Sequence, residues 1–193
     1  IGNSDLKWET TTDVNLGLDL AFLDNRMKFT VDVYQKNTKD LLQIIYFPGF
    51  SKPYYYNAGE IENKGLELGI NTRNFTGDFK WNSSFNISFN DNKVVALGLL
   101  KKLPFQNLNS LGESVILLTE GSSLGSFYGY KVDKVDPATG ALLYKDTNED
   151  GNITPADRTN IGNPNPKYTF GLSNDFSYKG FSLDALITGS KGG

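Results

Sequence analysis

The chain has no cysteine and no histidine. The first absence excludes a disulfide framework and thiolate metal sites; the second excludes imidazole ligands, His-based triads and imidazole proton relays. No run of about 18 apolar residues occurs, so no segment reads as a transmembrane helix. The stretch from Ile1 to Glu9 is polar and lacks the apolar core of a signal peptide. Charge of one sign is also missing: 19 basic against 22 acidic residues give a net −3. Such a chain lacks the basic footprint of a nucleic-acid binder, and no nucleic-acid partner is expected. No phosphate-binding loop, dinucleotide fingerprint or HExxH motif is found.

What is abundant is aromatic and turn-forming. Thirteen Phe, ten Tyr, two Trp and 20 Gly stand beside one Met in 193 residues. This composition reads as an all-β chain with many turns. Six segments alternate with period two: Asp13–Phe22, Met27–Tyr34, Gly65–Asn71, Phe79–Asn90, Tyr168–Ser177 and Phe181–Thr188. Of the 27 positions in one phase 25 are apolar, against 3 of 28 in the other, which is strand periodicity and not helical. A slip of one residue would exchange the faces, so the register is strongly specified.

The connections are lopsided. Asp24-Asn25-Arg26, Phe75-Thr76-Gly77-Asp78 and Tyr178-Lys179-Gly180 read as tight hairpins, whereas 35–64 and 91–167 are long. Two architectures put an apolar face opposite a polar one. In a soluble sandwich the apolar face meets a core, and strands run about 5–6 residues. In an outer-membrane barrel it meets lipid, strands run about 9–11 residues, and turns are short on one side and long on the other. The length of the first and fourth segments, and the acids Asp13, Asp19, Asp32, Glu67, Asp175 and Asp184 in the polar phase, suit a barrel with a wet lumen. Phe79 and Trp81 near a short turn, with Tyr34 and Tyr46 towards the other end, suit aromatic girdles; ordinary cross-strand aromatic pairing accounts for them equally. Six strands do not close a transporter-sized barrel. The chain starts without Met and stops at Gly192-Gly193 just after a strand-like run, and it reads as a segment of a longer polypeptide.

Three places invite a chemical reading. Asp146, Asn148, Asp150, Asn152 and Asp157 fall at positions one, three, five, seven and twelve of an EF-hand-like loop, with Gly151 at six. Clustered oxygens of this kind suit a structural Ca²⁺ ion; an Asx-rich turn without metal is the alternative. Tyr54, Tyr55 and Tyr56, with Phe47 and Phe50 nearby and Pro48 and Pro53 bracketing them, lie in a long connection. They would stack on sugar rings or dock a partner, or else pack the loop onto its neighbours. Gly121-Ser122-Ser123-Leu124-Gly125 matches the nucleophile-elbow pattern, but without histidine a Gly/Ser loop is the better account, and no enzyme activity is expected. The apolar stretch Val94–Leu118 is broken by Lys101-Lys102 and Pro104; the sequence does not place it.

Several motifs, in order, resemble one family. Asn57-Ala58-Gly59 through Asn63-Lys64-Gly65-Leu66-Glu67-Leu68 resembles a hairpin of TonB-dependent outer-membrane receptors. Leu6-Lys7-Trp8-Glu9-Thr10 with Asn15-Leu16-Gly17-Leu18-Asp19, Gly125-Ser126-Phe127-Tyr128-Gly129-Tyr130 and Asp136-Pro137-Ala138-Thr139-Gly140 resemble its SusC/RagA branch. So do Tyr144–Ile153 and Asp157-Arg158-Thr159 through Asn163-Pro164-Asn165-Pro166-Lys167-Tyr168. The resemblance covers nearly the whole chain, and the motif order favours this branch over siderophore or vitamin receptors. It implies that residues 1–193 are part of the C-terminal half of a transmembrane β-barrel of about 22 strands, with short periplasmic turns. Residues 91–167 would form an extracellular loop region containing the calcium-like loop 146–157. It further implies an outer-membrane importer of oligosaccharides or peptides in Bacteroidetes, capped by a SusD-like lipoprotein and powered by TonB–ExbB–ExbD through a plug that these residues lack. The alternative is a secreted, soluble carbohydrate-binding β-domain.

Overall fold

The computed structural model describes residues 3–45, 52–98, 102–107 and 114–193. Along the chain the strands are β1 (Thr10–Phe22), β2 (Met27–Lys39), β3 (Leu42–Ile45), β4 (Tyr54–Asn57), β5 (Glu60–Thr76), β6 (Phe79–Ala96) and β7 (Lys102–Asn107). They continue as β8 (Ser114–Thr119), β9 (Phe127–Tyr130), β10 (Val132–Val135), β11 (Leu142–Tyr144), β12 (Arg158–Gly162), β13 (Tyr168–Tyr178) and β14 (Phe181–Lys191). A 3₁₀ turn, Pro155–Asp157, precedes β12.

The six alternating segments become one antiparallel sheet in the order β1-β2-β5-β6-β13-β14. Its strands run 11 to 18 residues, long enough to cross a bilayer at a tilt. Three tight hairpins close one end. In the first, Leu23, Asp24 and Asn25 all take positive φ, as does Lys179-Gly180 in the third, the backbone hand that matches strand twist. At the other end β2 continues to Lys39, β5 starts at Glu60 and β6 continues to Ala96, so both long connections start later than the alternation suggests. The polar tails Gln35–Lys39 and Glu60–Lys64 pair without an apolar phase, which is why periodicity misses them.

A bulge between Arg73 and Phe75 shifts the phase of β5 near its short turn. Phe75 is thereby moved onto the apolar face, 5.9 Å from the Phe79 ring and 5.8 Å from Trp81. Phe176 stacks on both Trp81 and Phe79 at 5.7 and 6.4 Å, completing an aromatic rim at the short-turn end. Arg26 anchors the bulge by donating to the carbonyls of Arg73 and Asn74.

Among the described residues, the apolar face has no second layer. Leu16 is 76% exposed, Val14 64% and Leu183 63%, in strands whose register is complete. A sandwich covers this face; a lipid-facing wall leaves it bare. The small packed core lies instead at the long-connection end, where Val94, Leu97 and Leu118 are buried against Leu103. There β7 pairs with β8, in a four-stranded sheet ordered β12-β9-β8-β7, which places the described parts of the stretch 94–118, residues 94–98, 102–107 and 114–118. Hairpins β3–β4 and β10–β11 complete this end.

Candidate functional site

The two polar exceptions in the apolar phase, Ser83 and Asn174, are direct cross-strand partners. Ser83 Oγ and Trp81 Nε1 both donate to Asn174 Oδ1, at 2.7 and 3.0 Å, and Asn74 Nδ2 donates to Ser83 Oγ at 2.9 Å. Polar atoms on an apolar face are thus paired within the sheet.

The polar face is built on glycines. Gly17, Gly65, Gly69 and Gly171 sit directly opposite Asp32, Tyr34, Thr30 and Asn86. Each partner side chain lies over its glycine. A Cβ on Gly17 would stand 2.6 Å from Asp32 Oδ1, and one on Gly65 would overlap the Tyr34 ring. Tyr34 therefore belongs to the polar face, not to an apolar girdle, and its hydroxyl donates to Asn90 Oδ1 at 2.9 Å. Asp32 and Glu67 are direct partners in the next row of that face. Sequence periodicity placed Tyr34 in the polar phase, but only the register sets it over a glycine.

At the long-connection end, the loop 146–157 is tied by its own acids. Asp146 accepts from the backbone N–H groups of Glu149, Asp150 and Gly151, and Asp150 accepts from Asn152 N and Asn148 Nδ2. Asp157 is fully buried. Its Oδ1 takes Thr147 N at 2.8 Å, and its Oδ2 takes Thr154 N at 2.8 Å. These donors, Thr154 first, hold its carboxyl down at about 2, well below the usual carboxylate range, against the opposing effect of burial. Thr154 caps the 3₁₀ turn and Asp157 returns the bond, a reciprocal capping box. Among the described residues no group of three or more His, Cys, Asp or Glu side chains converges as a metal cage. Both Asp157 oxygens, which a bidentate ligand would use, are committed to N–H donors. Asp136 opens a similar turn, accepting from Ala138 N and Thr139 Oγ1, and its carboxyl is lowered by these bonds.

The tyrosine triplet is divided by its strand. Tyr54 and Tyr56 stack at 6.4 Å on one side of β4. Tyr56 is buried and donates to Gln43 Oε1 at 2.7 Å, and burial raises its hydroxyl pKa. Tyr55 alone turns outward, 40% exposed. Tyr46, Phe47, Pro48 and Phe50 lie outside the described residues. In the Gly/Ser loop, Ser123 Oγ accepts from Asn165 Nδ2 at 2.8 Å, and the Ser123 carbonyl accepts from Ser126 Oγ. The loop is a clip between β8, β9 and the Asn163-Pro164-Asn165 segment. Composition gave no signal for Arg158. Its guanidinium donates to the carbonyls of Ser114 and Tyr128 and lies 4.8 Å from the centre of the Tyr128 ring, locking β12 to β8 and β9.

Comparison with known proteins adds to this geometry. Residues 1–191 match the family model described as "TonB dependent receptor-like, beta-barrel". TonB-dependent receptor P3 of Formosa agariphila is 38% identical over 99% of this chain, which spans 21% of that protein. TonB-dependent receptor SusC of Bacteroides thetaiotaomicron is 30% identical over 97% of the chain and 20% of its own length. A solved structure of the RagAB peptide transporter superposes with a TM-score of 0.79 at 28% identity, over 97% of this chain and 21% of that one. The chain thus spans about a fifth of the length of the curated relatives it matches.

Proposed function

The chain belongs to the TonB-dependent receptor-like β-barrel family, and from that membership we propose that it forms barrel wall and external loops of a SusC-like outer-membrane importer. One observation carries this reading: a six-stranded antiparallel sheet of membrane-spanning length with an uncovered apolar face. The polar face then lines the lumen, the tight hairpins face the periplasm, and the small loop sheets face outward. Likeness to SusC and to the RagAB peptide transporter supports oligosaccharides or peptides as cargo. A SusD-like lipoprotein partner and energisation by TonB–ExbB–ExbD are proposed on the same likeness. The test is uptake by cells of labelled oligosaccharides and peptides, with and without the gene and with TonB inactivated. Loss of uptake in both, from a detergent-extracted polypeptide several times the mass of this chain, is expected. Recovery of these residues as a soluble protein of this chain's own mass would overturn the reading in favour of the secreted carbohydrate-binding domain.

For the loop 146–157, we propose that calcium at Asp146, Asn148, Asp150, Asn152 and Asp157 binds weakly, in the millimolar range typical of external sites. The reason is that an ion must compete with the N–H donors already bonded to Asp146 and Asp157. Titration of the detergent-solubilised receptor with Ca²⁺, followed by hydrogen exchange at this loop, is the check. Unchanged protection at millimolar Ca²⁺ removes the ion and leaves the Asx-rich turn.

A further inference from the structure

We propose that Tyr34 and its neighbours form a platform that stacks against one ring of a neutral saccharide. The inference rests on the importer reading and narrows its cargo. Tyr34 lies across Gly65 because Gly65 offers no Cβ to lift it, and its hydroxyl is pinned to Asn90 Oδ1 at 2.9 Å. The ring is thus held flat on the polar face, only partly buried, in the middle of a row that runs Asn15, Tyr34, Gly65, Asn90. Asp32 and Glu67, paired in the adjoining row, form no ion pair among the described residues. Among the described residues, Glu67 accepts only a long bond from Ser88 Oγ, at 3.4 Å.

The chemistry fits a pyranose. One face of such a ring is a flat set of C–H groups, which suits an aromatic surface, while its hydroxyls ring the edge. Asp32 and Glu67 are acceptors for those hydroxyls. The Asn90 amide nitrogen stays available as a donor, since the oxygen is taken by Tyr34. One common mode of extended-peptide recognition adds a strand to a free sheet edge. Here β2 and β5 are both paired on their two sides, and the glycine rows make the floor shallow.

The competing account is that the ring merely fills the gap over Gly65, as aromatics do beside strand glycines. Three variants of the full-length receptor separate the two. Tyr34→Phe keeps the ring, Tyr34→Leu removes it, and Gly65→Ala keeps the tyrosine but forces it off the platform. Binding is measured by calorimetry with a panel of neutral gluco- and galacto-oligosaccharides, and in parallel with a panel of short peptides. At least one oligosaccharide is expected to bind the wild type. Tyr34→Phe should bind it nearly as well, and Tyr34→Leu and Gly65→Ala several-fold to about tenfold more weakly, the scale of one aromatic contact. Thermal unfolding serves as the control, and Tyr34→Leu suffices if Gly65→Ala does not assemble. Equal saccharide affinity in wild type and Tyr34→Leu overturns the platform. Binding of peptides and of no saccharide also overturns it while leaving the importer standing; absence of TonB-dependent uptake of either class defeats the importer itself.

Discussion

Asp157 shows how one residue type serves two chemistries at the same spacing. Its place at position twelve, counting Asp146 as one, reads as a metal ligand, and the fold turns its carboxylate inward to Thr147, Asn148 and Thr154. Spacing alone does not tell an oxygen that meets N–H groups from one that meets a cation; the path of the loop is what supplies the N–H groups. Asp157→Asn leaves one carbonyl for two sets of donors, so faster amide exchange is expected at Thr147 or Thr154. The pH dependence has a definite sign. The folded carboxyl sits at about 2, below its ordinary value of 3.8. Its stabilisation of the loop is full above that ordinary value and is lost as pH falls towards 2, which exchange measured across acid pH will show. Asn174 is the second telling residue. Asn174→Leu strands the Trp81 N–H and Ser83 O–H on the apolar face and should cost about 1–3 kcal/mol. Adding Ser83→Ala should cost less than the sum of the two single changes, as read by urea unfolding of the receptor in bilayers.

At the scale of elements, periodicity carries far because lipid and lumen impose opposite demands on alternate residues. Ile87 and Ser88 are neighbours on β6 but face opposite ways. Ile87→Arg should destabilise the folded barrel by about 2–4 kcal/mol, whereas Ser88→Arg, beside Glu67, should be close to neutral. Bilayer folding titrations of both variants measure the difference. Where the two-solvent demand ends, legibility ends. Beyond Tyr34, before Gly65 and after Asn90 the ends of β2, β5 and β6 are mostly polar, with Ile61 and Val94 to Ala96 out of any sustained two-residue period, and the alternation stops before the strands do. The bulge at Arg73–Phe75 was equally silent, because one extra residue leaves composition unchanged while moving Phe75 to the other face.

At the scale of the whole molecule, the sheet is open. Among the described residues of this chain, each outer strand, β1 and β14, has a neighbour on one side only, and the apolar face is left uncovered. Both features are hazards in water, where bare edges and large apolar patches associate. Residues 1–193 expressed alone are therefore expected to elute as aggregates without detergent and to disperse in micelles, by light scattering on a sizing column. A monodisperse monomer in buffer would count against a lipid-facing wall.

The sequence by itself determined the six long strands, their register sense, the three tight turns and the separation of an apolar from a polar face. A strict two-residue period admits no other regular structure, and the order of its motifs resembles one receptor branch. Tertiary structure alone decided three things. It left the apolar face uncovered, which no periodicity distinguishes from a buried one. It paired Ser83 with Asn174, and Tyr34 with Gly65, because cross-strand neighbours depend on register between segments far apart in the chain. And it packed Val94, Leu97 and Leu118 into a small core beneath the outer loops, where contacts made across irregular connections leave no repeating trace in the order of residues.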